Sequence, residues 1–323
     1  MSSFRKFALS LFLLLPVIFL GEGKAGADTI FATYENGNRI GKFNSDGSVA
    51  ALIPTAEVSE PVGLAIGPNG SLYVGYLRRN QIEQFSQAGT DLGLFATTGA
   101  HPPGGLAFDR NGNLFANIPF DGSILKYSTA GAVSTFAVLG NHGLGGMAFD
   151  ASGNLYVAFG STGQIDKISP SGQVSIFVAG GAPFVLTSPF GIAFDTLGNL
   201  YVTDSGPSQV KRFSPTGAYL GVFASGNLSQ ASGLAFDSAG NLYVASARDG
   251  RIEKFSPTGV DLGLFANPGL GSSVYIATVP EPSVLSVFGL GIVACLGAAR
   301  WRKQNCKGGS QWYWQLALVF GGE

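Results

Sequence analysis

The sequence predicts an all-β fold, a six-bladed β-propeller of four-stranded blades closed by pairing of its N- and C-terminal strands. Three observations predict it. A unit of about 42 residues repeats along the chain, each unit holds four short alternating segments, and the composition suits strands joined by tight turns. Gly is high at 48 residues, only 12% of residues are charged, and Phe, at 25, is the dominant aromatic. That mixture argues against a helical bundle or a disordered chain.

The first complete unit runs Gly63-Leu64-Ala65-Ile66, a turn, Ser71-Leu72-Tyr73-Val74, then Gln81 to Ser86, a turn at Gly89, and Leu92 to Ala96. It returns at Gly105, Gly146, Gly191 and Gly233, with steps of 42, 41, 45 and 42 residues. Each segment alternates and is rich in β-branched and aromatic residues, so each reads as a strand. Asp109 to Asn113 recurs as Asp150 to Asn154, Asp195 to Asn199 and Asp237 to Asn241. Asp caps such a turn and Gly accepts positive φ, so these are hairpin turns rather than metal ligands: a blade-by-blade repeat spreads them around a ring. Ser-Pro-x-Gly at Ser169, Ser214 and Ser256 marks the turn between third and fourth strands.

Before the five complete units come three strands, Thr29 to Tyr34, Arg39 to Phe43 and Ser48 to Ile53. After them comes one, Ser273 to Thr278. Together they make a sixth blade that removes two exposed sheet edges. Val274 to Thr278 nevertheless reads more like a second strand, such as Leu242 to Ser246, than a first.

The ends carry targeting features. Arg5 and Lys6 precede an apolar run from Phe7 to Leu20, and Ala25-Gly26-Ala27 fits a small-residue cleavage site. The run is short for a membrane span and holds Pro16, so residues 1–27 are expected to be a signal peptide and Asp28 the first mature residue. Cysteine occurs only at Cys295 and Cys306, so the body, residues 28–279, has no disulfide or thiolate chemistry. That body holds 12 Lys+Arg against 17 Asp+Glu, a net of −5. No basic stripe exceeds Arg78-Arg79, which excludes a nucleic-acid partner of the usual kind.

The pattern Pro-x-Gly-Leu-Ala-Phe-Asp, Gly-Asn-Leu-Tyr-Val-Ala, Ile-x-Lys-Phe-Ser-Pro-x-Gly resembles the NHL-repeat propellers over residues 29–278. It is also similar to streptogramin-lyase and gluconolactonase-like relatives. NHL repeats commonly carry Asp after the Tyr-Val strand; only Asp204 does so here, and Tyr76, Ile118, Phe159 and Ser246 stand at that position elsewhere. Past the propeller, Pro280-Glu281-Pro282, the 16-residue apolar run Val284 to Ala299 and the basic Arg300 to Lys303 resemble a PEP-CTERM sorting signal. The resemblance implies an exosortase-type processing enzyme as partner, transient inner-membrane anchoring in a Gram-negative bacterium, and association with exopolysaccharide or biofilm matrix. Residues 304–323 are an extension beyond that signal.

No catalytic motif is present: neither Gly-x-Ser-x-Gly, nor His-Glu-x-x-His, nor a phosphate loop. The two histidines, His101 and His142, each lie four residues before the repeat glycine, where other blades hold Ser59, Thr187 and Ser229. They are read either as ligand-binding residues, with Glu60 or Asp204 as neighbours, or as solvated loop residues. Two imidazoles without a third ligand rarely hold zinc, so no metal or cofactor is expected. A non-enzymatic binding module of the cell surface or matrix is the expected function. The alternative is a metal-dependent lactonase- or lyase-type propeller enzyme.

Overall fold

A computed structural model describes residues 28–55, 59–140, 143–180 and 185–279; the proposed signal peptide, the sorting segment and His142 lie outside them. Every regular element among the described residues is a strand. Chain order begins with β1 (Thr29–Tyr34), β2 (Arg39–Phe43) and β3 (Val49–Pro54). Blade 1 follows as β4 (Pro61–Ile66), β5 (Leu72–Tyr76), β6 (Gln81–Phe85) and β7 (Asp91–Thr97). Blade 2 is β8 (Leu106–Phe108), β9 (Leu114–Ile118), β10 (Ser123–Tyr127) and β11 (Val133–Val138). Blade 3 is β12 (Leu144–Phe149), β13 (Leu155–Phe159), β14 (Gln164–Ile168) and β15 (Val174–Val178). Blade 4 is β16 (Pro189–Phe194), β17 (Leu200–Asp204), β18 (Gln209–Phe213) and β19 (Tyr219–Ala224). Blade 5 is β20 (Ala231–Phe236), β21 (Leu242–Ser246), β22 (Ile252–Phe255) and β23 (Asp261–Ala266), and β24 (Ser273–Val279) ends the series.

Each blade is an antiparallel four-stranded sheet, and the sixth has the order β24-β1-β2-β3. The predicted six-bladed propeller and its closure are therefore present. The C-terminal strand is the innermost one of its blade despite its second-strand composition. Its register sets Thr29 opposite Val279 and Ile30 opposite Thr278. A further clasp comes from Asp28, whose carboxylate accepts hydrogen bonds from the Ser238 amide and, at 3.0 Å, the Ser238 hydroxyl of blade 5.

The repeated residues explain the ring. In the hairpin turns, Asp109 Oδ1 accepts from the amides of Asn111 and Asn113 at 2.9 and 2.8 Å, and its Oδ2 from Asn113 Nδ2 at 2.7 Å. Asp150, Asp195 and Asp237 repeat the arrangement. The Tyr or Phe of the second strand then packs edge-on against one Phe of its own outer strand and one from the next blade. Tyr73 does so with Phe95 and Phe108, and Tyr201 with Phe223 and Phe236, at centroid distances of 4.7–4.9 Å. Each such pair adds about 0.5–1.5 kcal/mol beyond its buried area, so phenylalanine glues blade to blade.

The outermost strands carry exposed Leu92, Leu94, Leu220, Leu262 and Leu264. Their edges are blunted by bulges at Gly93, Gly221 and Gly263, all at positive φ. A bulge twists an edge away from pairing with another chain.

Candidate functional site

Loops leading into the innermost strands, together with the turns between second and third strands, form one face of the ring, called here the upper face. Hydrogen bonds between neighbouring blades brace it. Asn38 Oδ1 accepts from the amides of Ser59 and Glu60 at 3.2 and 3.0 Å, and Ser208 Oγ accepts from the Gln230 amide at 2.9 Å. Among the described residues, the five non-glycine residues at positive φ, Asn38, Glu60, Asn80, Ser208 and Gln230, all lie on this face. Such backbone persists only where its surroundings over-determine it.

Among the described residues, the predicted site residues Glu60, His101 and Asp204 lie in separate blades and form no cluster that could hold a metal. Glu60, in the loop before β4, pairs with Arg78 Nε at 2.5 Å; Arg78 itself is 58% exposed. His101 lies in the next leading loop, where its carbonyl accepts from Thr98 Oγ1 at 2.7 Å. Its ring stacks on Phe120 with centroids 5.8 Å apart and planes 21° from parallel, and Phe120 is 58% exposed.

Asp204 is fully buried at the end of β17. It accepts from the amides of Thr187 and Ser188, from Thr187 Oγ1 at 2.7 Å and from Lys211 Nζ at 2.6 Å. Burial pushes its carboxyl up, but the Lys211 ammonium and the Ser188 and Thr187 donors outweigh that and hold it below the ordinary carboxylate value. Asp204 thus ties a leading loop to its own blade. Glu35, in the turn between β1 and β2, lies near the Glu60–Arg78 pair instead; burial and then the charge of Glu60 raise it, against the pull of Arg78.

Apolar side chains and glycine backbone line the axial channel. Leu64, Leu106, Met147, Ile192, Leu234 and Tyr275 are among the residues lining a cavity of ≈ 70 Å³, room for no more than a few waters. Tyr275 occupies the position where every complete blade has its repeat glycine, and it meets Phe190 with centroids 5.3 Å apart. Among the described residues, no three His, Cys, Asp or Glu side chains converge in a way that could hold a metal. Phe120, Arg78, Lys211 and Tyr275 were not singled out from the sequence. The available signal was their departure from the repeat, most plainly Tyr275 in a column of glycines.

The virginiamycin B lyase family model matches residues 17–255. The chain belongs to that family. No curated protein matches the sequence. Among solved structures, a protein of unknown function from Bacteroides caccae superposes with a TM-score of 0.64 at 16% identity, covering 79% of this chain and 100% of that one. A nidogen/laminin complex gives 0.66 at 17%, covering 78% and 98%. A catalytically inactive histidine-to-alanine virginiamycin B lyase from Staphylococcus aureus, with quinupristin, gives 0.57 at 13%, covering 75% and 85%. At these identities the likeness concerns the fold, and one fold hosts many unrelated activities.

Proposed function

We propose that this chain is an exported propeller of the cell surface or extracellular matrix that binds polysaccharide through its upper face without transforming it. The observation that carries the reading is how that face uses its charges. Glu60 pairs with Arg78, Glu83 with Arg79 and Asp204 with Lys211, while Tyr275 narrows the axis to a small cavity. Charged groups committed to one another do not converge on a reacting atom, as acid, base and electrophile must. Among the described residues, that face also presents the exposed ring of Phe120, stacked on His101 and followed by Asp121. A flat aromatic ring flanked by a few polar groups suits the C–H face of a sugar. The signal-like residues 1–27 and the Pro280-Glu281-Pro282 segment support export and exosortase-type processing.

Membership of a lyase family supports the second reading, a metal-dependent lyase or lactonase. One comparison separates the two. The mature chain is tested on a glycan array, and in parallel for ring opening of quinupristin and hydrolysis of simple lactones with Mg²⁺, Ca²⁺ or Zn²⁺ added. Saturable glycan binding, weakened about tenfold or more in Phe120→Ala and His101→Ala, is expected. Turnover would replace the binding reading with the enzymatic one.

A further inference from the structure

Each blade has one residue paired across the sheet with the middle of its second strand: Gly41, Glu83, Leu125, Asp166, Lys211 and Glu253 around the ring. Near it sits the buried last residue of that second strand: Tyr34, Tyr76, Ile118, Phe159, Asp204 or Ser246. Most blades fill this place with side chains, although the Tyr34 and Tyr76 hydroxyls there also lack a hydrogen-bond partner. Gly41 leaves room for the Tyr34 ring, and Ile118 and Leu125 are apolar. Glu83 receives Arg79 at 2.9 Å, Asp166 receives Gln164 Nε2 at 2.6 Å, and Lys211 sets its ammonium 2.6 Å from Asp204 and 2.5 Å from the Val185 carbonyl.

Blade 5 breaks the pattern. Glu253 is 1% exposed, the most buried of the four charged residues at this position, and its Oε2 has no hydrogen-bond partner. Where blade 1 places Arg79 four residues before its Glu, blade 5 places another carboxylate, Asp249. Arg251 turns outward, 44% exposed and 3.4 Å from Asp249. Burial, then the charge of Asp261, raise the Glu253 carboxyl; Arg251 lowers it and Asp249 adds to the rise. A buried carboxylate oxygen with no partner is destabilising, and a positive group set against it would relieve that cost.

Blade 4 shows what that place accepts. Its Lys211 ammonium is held by a carboxylate on β17 and a carbonyl of the leading loop. The same loop in blade 5 is built alike: the Ser229 amide donates to Ser246 Oγ at 3.2 Å as the Thr187 amide does to Asp204. Leu228 is buried as Leu186 is. Asn227 therefore stands where Val185 stands, and its side-chain amide reaches Asp261 at 3.5 Å.

We propose that blade 5 binds a hard cation of the calcium class at Glu253, in the place where blade 4 sets its own lysine ammonium. The Glu253 carboxylate, the Ser246 hydroxyl and the Asn227 carbonyl supply oxygen donors, the kind that Ca²⁺ takes, and water completes the shell. One carboxylate with neutral oxygens places the affinity at about 10⁻⁴–10⁻³ M, the range of extracellular calcium modules. The cation replaces a missing side chain and stabilises the blade whatever the upper face binds.

The test is thermal unfolding of the mature chain in EDTA and in about 10 mM Ca²⁺, with Mg²⁺ and Na⁺ for comparison. Wild type should gain about 3–10 °C in Ca²⁺, and Glu253→Gln should gain nothing. The double variant Ser246→Asp/Glu253→Lys carries the blade 4 pair, and should be insensitive to Ca²⁺ while unfolding no lower than wild type in EDTA. Equal gains in wild type and either variant would place the cation elsewhere and overturn the proposal. An unresponsive wild type would overturn it too, leaving Glu253 as a site that holds a proton.

Discussion

Asp204 and the four turn aspartates are the same residue type put to different use. Asp109, Asp150, Asp195 and Asp237 cap hairpins at the surface, and their role was legible because Asp-x-x-Gly-Asn leaves the carboxylate within reach of its own turn amides. Asp204 was read as a candidate ligand because it alone follows a Tyr-Val strand. Its partner was not legible: Val-Lys-Arg-Phe in β18 looks like Ile-Glu-Lys-Phe in β22, and only packing shows the Lys211 ammonium turned inward. Removing the carboxylate strands that ammonium at 10% side-chain exposure. Asp204→Asn should therefore cost about 3–5 kcal/mol in urea unfolding, and adding Lys211→Met should recover most of it. Because its folded pKa is lowered, the contribution of Asp204 is full above about pH 4, its unfolded value, and fades as pH falls through the folded value. Asp204→Asn should flatten that part of the acid unfolding curve; an unchanged curve would remove Asp204 from the balance.

The innermost strands show why a glycine recurs at every step. A side chain at Gly233 would place its Cβ 2.6 Å from the Val274 carbonyl oxygen and 2.7 Å from the Tyr275 Cα. At Gly146 it would lie 2.9 Å from the Phe190 carbonyl oxygen. Neighbouring blades approach backbone to backbone at the axis, and no rotamer can relieve such a contact. Gly233→Ala should cost about 3 kcal/mol, read as a lower urea midpoint with unchanged slope; wild-type stability would show that the blades can part. The glycine column made the blade count legible from sequence. It also hid the exception, since Val274-Tyr275-Ile276-Ala277 carries the composition of a second strand. Only the ring reveals that one blade can spare its glycine, because a single Tyr275 fits where six side chains would not.

At the scale of the whole molecule, stability depends on contacts between residues far apart in the chain. β1 meets β24 across more than two hundred residues, the Tyr275 amide donates to Thr33 Oγ1 at 3.1 Å, and Asp28 reaches Ser238. Loops must close before these contacts form, so the topology predicts slow closure, and a ring still open exposes strand edges. The sequence carried the closure as a count, three strands before the repeats and one after. It carried nothing of the ligand, because recognition rests on residues such as Phe120 and His101 whose roles depend on which loops the ring brings side by side. A chain ending at Leu270 loses β24, and with it three things: the inner edge of blade 6 is uncovered, Tyr275 leaves the channel, and the backbone that Gly233 packs against is gone. That truncation should give aggregates or an unfolded chain by size-exclusion chromatography and circular dichroism. Asp28→Ala is the milder version, losing only the clasp to blade 5, and should cost about 1–3 kcal/mol while leaving a monomer. A soluble monomer with wild-type melting after the Leu270 truncation would mean that the five complete blades hold their ring without closure. The terminal strands would then be attachments to the fold and not its lock.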